Sequence, residues 1–439
     1  MVYLHVPFCR SFCTYCDFYS EIACRGRDAQ EFELYTEAVC AEASRRRDEI
    51  EATRDLNTLY IGGGTPSVLP LSLLRKILAS LMTGGVPPEP PASLRSEAAK
   101  HQDSYPEPFT EFTIEVNPED IVEKGEAYVR ELLALGVNRV SMGVQSLDDG
   151  ILRWMNRRHD AARAREAFRI LRAAGVRNVS VDLIFGISQL SEAVFAETLR
   201  EVTALRPEHV SAYQLSIEAG SALAELVRQG RYSEAPQEQC AAQYRQLCDA
   251  LRAAGYVHYE ISNWALPGHE AIHNSAYWSR HPYVGLGPAA HSFDGNIRSW
   301  NPSSILAYAA TALENRSQQA GLFSNPCNPL LGDTSSSSRL RKREGPASEG
   351  SGRGPAQQDV FEGSSPLRRE QEQLSEAEAR EEEIMLGLRT AQGVEATLLD
   401  AAKAAEMLAD GRLAQTGDGR LRIPEDAWFV SDDIIADLV

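Results

Sequence analysis

Three cysteines fall within eight residues near the start of the chain, as Cys9-Arg-Ser-Phe-Cys13-Thr-Tyr-Cys16. Closely spaced thiolates on one loop can surround an iron–sulfur cluster, and three protein ligands leave one iron open to a small chelating ligand. A structural zinc site is the main alternative, but such sites usually take four protein ligands from paired Cys-x-x-Cys turns. The spacing therefore favours a [4Fe–4S] cluster over zinc or a chance group of buried cysteines.

The remaining cysteines are scattered along the chain, at Cys24, Cys40, Cys240, Cys248 and Cys327. A disulfide framework would instead show regular spacing in a small secreted chain. We therefore expect a reducing compartment and one metal site.

A run of glycines, Gly62-Gly63-Gly64-Thr65-Pro66, follows the second strand that the sequence predicts. Glycine lets the backbone approach a ligand closely, and Thr65 adds a hydroxyl group. A tight turn alone would explain one or two glycines. Three of them with Thr-Pro at a strand end favour ligand contact.

Four further polar residues, Glu115, Gln145, Arg157 and Asp182, lie at or just after the ends of successive predicted strands. A lone carboxylate in such a place is usually a helix cap or a surface group. Four polar residues at matching ends of one sheet favour a shared pocket. Separately, His273 begins the sequence HNSAYW; histidine is a common metal ligand, although a single loop histidine is more often structural.

Strand-like runs alternate with helical patterns over the first 255 residues. The predicted strands cover residues 2–6, 56–61, 112–116, 139–144, 179–185 and 209–215, and the predicted helices cover residues 30–51, 71–81, 125–135, 161–173, 193–204 and 237–253. Six strand–helix units in series predict an α/β fold with a parallel sheet, either an open barrel or a doubly wound sheet. Such folds place their chemistry at the carboxyl ends of the strands, where these residues lie.

The rest of the chain divides by composition. Residues 256–318, which include HNSAYW, predict short strands and loops that extend the core of residues 1–255. Residues 84–108 are Pro-rich and predict a surface insertion, and the Ser/Gly/Arg-rich residues 319–369 predict a disordered insertion. Residues 370–439 predict a smaller winged-helix-like domain, with a helix over 370–388, further helices and a hairpin around residues 417–419.

Charge and hydropathy exclude two classes of partner. The formal net charge of −18 argues against broad nucleic-acid binding, which needs a basic surface. No apolar run approaches the ~20 residues of a membrane-spanning helix. The first residues, MVYLHVPFC, lack the features of a signal or transit peptide and begin inside a strand. We expect a cytoplasmic protein, or one in a plastid or mitochondrion if a native leader is missing.

The sequence Tyr3-x-His-x-Pro-Phe before the three cysteines resembles the radical S-adenosylmethionine (SAM) superfamily, in the branch of oxygen-independent coproporphyrinogen III oxidase. The resemblance implies a TIM-like partial (β/α)6 barrel. It also implies that the open iron of the cluster binds the amino and carboxylate groups of SAM, which an electron from the cluster cleaves to a 5′-deoxyadenosyl radical.

The same resemblance implies site residues. It assigns contacts to SAM in this chain to Tyr3, Gly63, Gly64, Thr65 and Glu115. It also matches four residues to positions that contact a second SAM in the oxidase branch; these are Tyr15, Gln145, Arg157 and Asp182. Whether a second SAM binds here stays open.

Within that branch, three segments are similar to the HemW group of heme chaperones: HNSAYW at 273–278, GLGPAAHSF at 285–293 and EEIMLGLRTAQGV at 382–394. The oxidase has a further cysteine where this chain has Phe18. The similarity implies heme as cargo, acceptor hemoproteins and an electron donor as partners, a C-terminal domain of the oxidase type, and His273 as a heme ligand. The alternative is an enzyme, oxygen-independent coproporphyrinogen III dehydrogenase, in which the radical abstracts hydrogen from each propionate side chain.

Overall fold

The computed structural model describes residues 1–23, 28–82, 109–319 and 369–439. The predicted insertion at 84–108, nearly all of the one at 319–369, and the cysteines Cys24 and Cys327 lie outside the described residues. None of the helices in the described ranges combines the length and the apolar character that crossing a bilayer requires.

The strands of the described chain are short in the C-terminal half and longer in the core. They are Val2–Val6 (β1), Phe8–Cys9 (β2), Glu21–Ile22 (β3), Thr58–Gly63 (β4), Glu111–Val116 (β5), Arg139–Gln145 (β6), Val179–Phe185 (β7), His209–Gln214 (β8), Val257–Glu260 (β9), Asn263–Ala265 (β10), Val284–Leu286 (β11), His291–Phe293 (β12), Ile297–Trp300 (β13), Glu370–Gln373 (β14), Ala414–Gln415 (β15) and Leu421–Arg422 (β16).

The helices alternate with the core strands and then continue into the C-terminal part. They are Asp28–Arg45 (α1), Arg47–Ala52 (α2), Leu71–Leu81 (α3), Pro118–Ala134 (α4), Asp149–Trp154 (α5), Ala161–Ala174 (α6), Glu192–Leu205 (α7), Ala222–Arg228 (α8), Gln237–Ala253 (α9), Ile272–Trp278 (α10), Ile305–Gln319 (α11), Glu376–Gly387 (α12), Ala401–Asp410 (α13) and Ser431–Ala436 (α14).

One sheet organises the core, in the order β11-β1-β4-β5-β6-β7-β8-β10-β9. Strands β11 through β8 in that order pair in parallel, and β10 and β9 add on in antiparallel fashion at one edge. The sheet is thus an open, partial barrel, and the predicted α/β fold with six strand–helix units is confirmed. Helices α4 and α6 pack together on its outside, as do α1 with α3 and α7 with α9.

The residues of these strands alternate between two environments. In β6, Val140, Met142 and Val144 are buried in the hydrophobic core under the helices. The intervening residues, among them Arg139 and Ser141, face a cavity inside the barrel. Because neighbouring side chains of a strand point to opposite faces, one face builds the core while the other leaves a polar interior.

The C-terminal part, residues 369–439, docks on the edge formed by β9. The Ile261 amide donates to Arg389 O at 3.0 Å, and the Ala391 amide donates to Tyr259 O at 2.9 Å. Within this part lie the predicted helices and a short hairpin, β15–β16.

The prediction of one helix over residues 370–388 is partly wrong. Residues 370–373 form β14, which pairs with β13, and the helix begins only after Ser375, whose hydroxyl and Glu378 form a capping box.

Candidate functional site

The cysteine loop lies between β2 and β3 and is tied down at both ends. The Ala23 amide donates to Cys9 O at 2.9 Å, which holds the loop against β3. The Thr14 amide donates to Met155 O at 3.1 Å, and the Asn156 side chain donates to Phe12 O at 2.7 Å. The loop is therefore fixed to the segment after α5 as well as to its own strands.

The thiols of Cys9, Cys13 and Cys16 are half-buried and face one cavity. Polar groups contact them: Thr65 Oγ1 lies 3.5 Å from Cys9 Sγ, and Arg157 Nη1 donates to Cys13 Sγ at 3.4 Å. Burial raises the pKa of the Cys16 thiol to about 11 and also raises the pKa of Cys9. A positive metal centre would reverse this effect, because thiolates are the ligands of iron–sulfur clusters. Three converging sulfurs with hydrogen-bond donors therefore fit such a cluster.

The glycine run at the end of β4 lies directly against the cysteine loop. The amides of Gly64 and Thr65 donate to Val6 O at 2.8 Å and Phe8 O at 2.7 Å. A Cβ at Gly64 would lie 2.8 Å from Phe8 O, and one at Gly63, whose φ is +107°, would lie 2.5 Å from the His5 ring. A Cβ at Gly62 would likewise lie 2.7 Å from a Glu115 carboxylate oxygen, so close packing accounts for all three glycines, and their contact with a ligand stays a prediction.

Glu115 is buried beside this turn at the end of β5. Its carboxylate accepts hydrogen bonds from Tyr60 Oη at 2.8 Å and from the Gly63 amide at 3.1 Å. Burial raises the pKa of Glu115 to about 7 in spite of these two donors. The carboxyl group is therefore poised to ionise when a cation, such as the amino group of a ligand, comes close.

Polar groups at the neighbouring strand ends are connected by hydrogen bonds from Arg157. The buried guanidinium of Arg157 donates to Asn117 Oδ1 at 2.6 Å and to Gly143 O at 2.7 Å. Gln145 follows an irregularity in the pairing of β6 with β7 and has a φ of +67°. A non-glycine residue in this region is uncommon and tends to occur at functional sites.

Asp182, on β7, lies deeper in the barrel. Its two carboxylate oxygens accept from Ser141 Oγ at 3.0 and 3.1 Å. Burial raises the pKa of Asp182, and the hydroxyl donors and Arg139 oppose that rise.

A single cavity of about 630 Å³ collects the predicted site residues. All thirteen of them line it: Tyr3, Cys9, Cys13, Tyr15, Cys16, Gly63, Gly64, Thr65, Glu115, Gln145, Arg157, Asp182 and His273. They do not all lie at one end. His273 contacts Thr58, the first residue of β4, whereas Cys9 contacts Thr65, beyond the end of that strand. At a rise of ~3.3 Å per residue, the two ends are roughly 16 Å apart.

His273 sits at this inner end on α10, which closes the barrel. The amides of Ile272 and His273 donate to the Glu111 carboxylate at 2.8 and 2.9 Å. The His273 ring lies 2.8 Å from Thr58 Oγ1 through Nδ1 and 3.1 Å from Tyr277 Oη through Nε2. Burial lowers the pKa of His273 to about 3, so the imidazole is neutral.

Reasoning from the sequence missed the polar lining between these two ends. Arg139, His209 and Ser211 line the cavity. Their signal was present: β6 reads Arg-Val-Ser-Met-Gly-Val-Gln and β8 reads His-Val-Ser-Ala-Tyr-Gln, so every second residue has a polar side chain or none. For strands flanked by helices, that alternation indicates a polar barrel interior rather than a solvated sheet face.

The fold and the three-cysteine site are those of radical SAM proteins. The profile described as "Radical SAM superfamily" matches residues 3–202. Among solved structures, coproporphyrinogen III oxidase (HemN) from Escherichia coli superimposes with a TM-score of 0.66 and 18% sequence identity, over 99% of this chain and 89% of that one. At this identity the likeness shows the fold alone. Membership of the superfamily implies a [4Fe–4S] cluster and SAM as cofactors.

Comparison with characterised relatives assigns the chain to one family within the radical SAM superfamily. The heme chaperone HemW of Synechocystis sp. is 32% identical over 311 residues, covering 70% of this chain and 69% of that protein. The heme chaperone HemW of Mycobacterium tuberculosis is 36% identical over 311 residues, covering 70% and 73%. The chain therefore belongs to the HemW family of radical SAM proteins.

Proposed function

We propose that this protein is a heme chaperone, which binds heme and passes it to acceptor hemoproteins. The observation that carries the proposal is HNSAYW, whose His273 lines the inner end of the cavity as a neutral, buried imidazole. A neutral imidazole is a good axial ligand for heme iron. Family membership supports the same function, because the relatives named above are heme chaperones.

The outer end of the cavity is the proposed cofactor site. Cys9, Cys13 and Cys16 would hold the cluster, which supplies one-electron chemistry to SAM when both are bound. Glu115 would accept from the SAM amino group, and the turn of Gly63, Gly64 and Thr65 would border its methionine part. The remaining candidates for SAM contact, Tyr3, Tyr15, Gln145, Arg157 and Asp182, line the same cavity. In this proposal an electron donor reduces the cluster, and the cofactors support heme transfer.

For His273 to bind heme iron, one of its ring nitrogens must give up its present hydrogen-bond partner. Nε2 contacts Tyr277 Oη, and Nδ1 contacts Thr58 Oγ1. Nε2 would leave the Tyr277 hydroxyl and bind iron, while the Thr58 contact would hold the ring in place. His5 is less available, because it is not among the residues that line the cavity; its nitrogens contact Tyr3 Oη at 3.0 Å and Tyr19 O at 2.8 Å.

The test is an anaerobic titration of the full chain with heme, followed by absorbance in the Soret region. We expect a shifted Soret band for the wild type that weakens in His273→Ala. His281→Ala is the matched control, because His281 lies three residues beyond α10 and pairs with Asp55 at the surface. That control should bind heme as the wild type does.

A second arm addresses the enzyme alternative. The reconstituted protein is incubated with coproporphyrinogen III, SAM and a reductant, and released carbon dioxide is measured. We expect none above background. Decarboxylation with turnover would replace the chaperone by the dehydrogenase, and heme binding unchanged in His273→Ala would move the iron ligand elsewhere.

A further inference from the structure

The inner end of the cavity contains a buried guanidinium that forms no hydrogen bond with a carboxylate in the part of the chain that the structure describes. Arg139, the first residue of β6, is 3% exposed and lines the cavity. Its Nε has no hydrogen-bond partner, and within the described ranges no carboxylate forms an ion pair with it. A guanidinium cannot lose its proton in a protein, and burying a charge without a partner is costly. The charge of Asp182 acts on Arg139, but the Asp182 oxygens accept from Ser141, so the guanidinium donors remain open to an anionic ligand.

The two histidines that interact with Arg139 carry no charge. His209 contacts Ser180 Oγ at 2.8 Å and Tyr259 Oη at 2.8 Å, and burial holds its pKa well below the usual value. His273 is likewise neutral and bonded on both nitrogens. Each histidine thus contacts two hydroxyl groups, and neither ring nitrogen is left to accept from the Arg139 guanidinium.

The other buried arginine of the cavity shows the contrast. Arg157, at the cysteine end, donates to Asn117, to the Gly143 carbonyl and to Cys13. The Nε of Arg157 lacks a partner, as that of Arg139 does, but both of its terminal nitrogens donate to the protein, so Arg157 acts as part of the cavity wall. Arg139 faces the same cavity with its planar set of donors free, and this geometry suits a carboxylate bound through both oxygens.

We propose that Arg139 binds a carboxylate of the cargo, a propionate of heme, at the inner end of the cavity. The inference rests on the proposed function and adds how the cargo is oriented. Arg139 begins β6 and His273 contacts the first residue of β4, so both groups lie at the amino ends of the barrel strands. Heme can bind both groups, because its iron can take the His273 imidazole as a ligand while a propionate accepts from the Arg139 guanidinium. SAM also carries a carboxylate, but its proposed site is the cysteine end.

The test compares two ligands with three proteins by titration of the full chain. The ligands are heme and heme dimethyl ester, whose propionates carry no charge. The proteins are the wild type, Arg139→Gln, and the control Arg169→Gln, which removes an exposed arginine paired with Glu166 on α6. We expect the wild type and the control to prefer heme over the ester by about tenfold or more, the usual effect of a charged hydrogen bond. Arg139→Gln should weaken heme binding by a similar factor and bind both ligands alike.

One further variant and one further measurement distinguish a failure of the inference from misfolding and from a failure of the proposed function. Arg139→Lys keeps the charge but loses the planar pair of donors, so it should retain part of the preference and shows that the effect does not depend on misfolding. SAM affinity should be the same in the wild type and in Arg139→Gln; a loss of SAM binding instead would assign the carboxylate to SAM and overturn the inference. If Arg139→Gln keeps the wild-type preference for heme over the ester, the inference is overturned and the chaperone function still stands. A wild type that binds neither ligand overturns both.

Discussion

At the scale of single residues, the site depends on carboxylates whose ionisation is tuned by burial. Glu115 is the clearest case, since the barrel interior raises its pKa from 4.5 to about 7 while Tyr60 and Gly63 donate to it. Such a group changes its charge near neutral pH, where the approach of a cationic ligand decides its state. The pH dependence of the protein should therefore report on this residue.

We predict that replacing Glu115 by Gln removes a pH-dependent loss of stability. Between pH 4.5 and 7 the folded chain keeps a proton that the unfolded chain has lost, so stability falls as pH rises through this window. Relative to Glu115→Gln, the wild type should lose up to roughly 3 kcal/mol across it. Urea unfolding at half-unit pH steps measures the difference. The exposed Glu383→Gln is the control, and parallel curves for the wild type and Glu115→Gln would contradict the assignment.

A second prediction concerns the thiols. Anaerobic reconstitution should load about four irons per chain, and replacing Cys9, Cys13 and Cys16 together by Ala should abolish this loading. Cys40→Ala is the matched control, because Cys40 is a half-buried cysteine on α1, outside the cavity. Iron analysis and the visible thiolate-to-iron bands are the readouts. Iron retained by the triple variant would place the cluster on other ligands.

Much of the site could be predicted at this scale, because the informative residues follow predicted strands. Parallel strands end at one edge of their sheet, so Glu115 and Gln145 had to come near the cysteine loop. Asp182 was expected there too, but it is the middle residue of β7 and lies deeper in the barrel. Arg139 could not be found in that way. It lies at the opposite edge, and its lack of a partner follows from hydrogen bonds that His209 and His273 make with residues distant in the sequence.

At the scale of elements, the turn after β4 determines whether the cysteine loop can sit where it does. Gly63 has a φ of +107°, and its Cα faces the His5 ring. A side chain there is strained by the backbone conformation and also collides with a buried ring. The turn and the loop should therefore be displaced together.

We predict that Gly63→Ala lowers the melting temperature by several degrees and reduces iron loading. Two control variants separate the causes. Gly220→Ala has a φ of +91° but meets nothing within 4 Å, so it should cost only the ~1–2 kcal/mol of left-handed backbone. Gly417→Ala meets nothing and has no such φ, so it should be neutral. Thermal unfolding and iron content are compared across the three, and equal effects in Gly63→Ala and Gly220→Ala would exclude a role for the collision.

Core elements were more predictable than the short ones. The strands at 2–6 and 179–185 and the helices at 71–81 and 237–253 agree with the structure residue for residue, because apolar periodicity is strong where an element packs on the core. The helix expected from residue 125 begins at Pro118 instead, with Gly125 as a kink inside it. Short elements such as α8 and α10 were missed, since seven residues contain too few turns for a periodic signal.

At the scale of the whole molecule, the C-terminal part and the barrel share one network of charges. Glu382, on α12, pairs with Arg280 at 2.8 Å and with Arg298. Arg280 lies two residues after α10, the helix that carries His273. Neither the docking of α12 nor the closure of the barrel by α10 could be predicted from the sequence, because both depend on contacts between residues that are 84 to 215 positions apart.

This arrangement predicts that Glu382→Ala loosens the inner end of the site. The carboxylate is 11% exposed and faces two guanidiniums, so its removal leaves both without their partner and should cost roughly 2 kcal/mol or more. Because the arginines hold the pKa of Glu382 below 4.5, the contribution of this carboxylate to stability is present above that pH and is lost as the carboxylate protonates.

For Glu382→Ala we expect a lower melting temperature at pH 7, a smaller difference from the wild type at acidic pH, and weaker heme binding with unchanged iron loading. The neighbouring Glu381→Ala, an exposed residue of the same helix, should behave as the wild type. An unaltered melting temperature in Glu382→Ala would show that α12 does not stabilise α10, and heme affinity would then depend on the barrel alone.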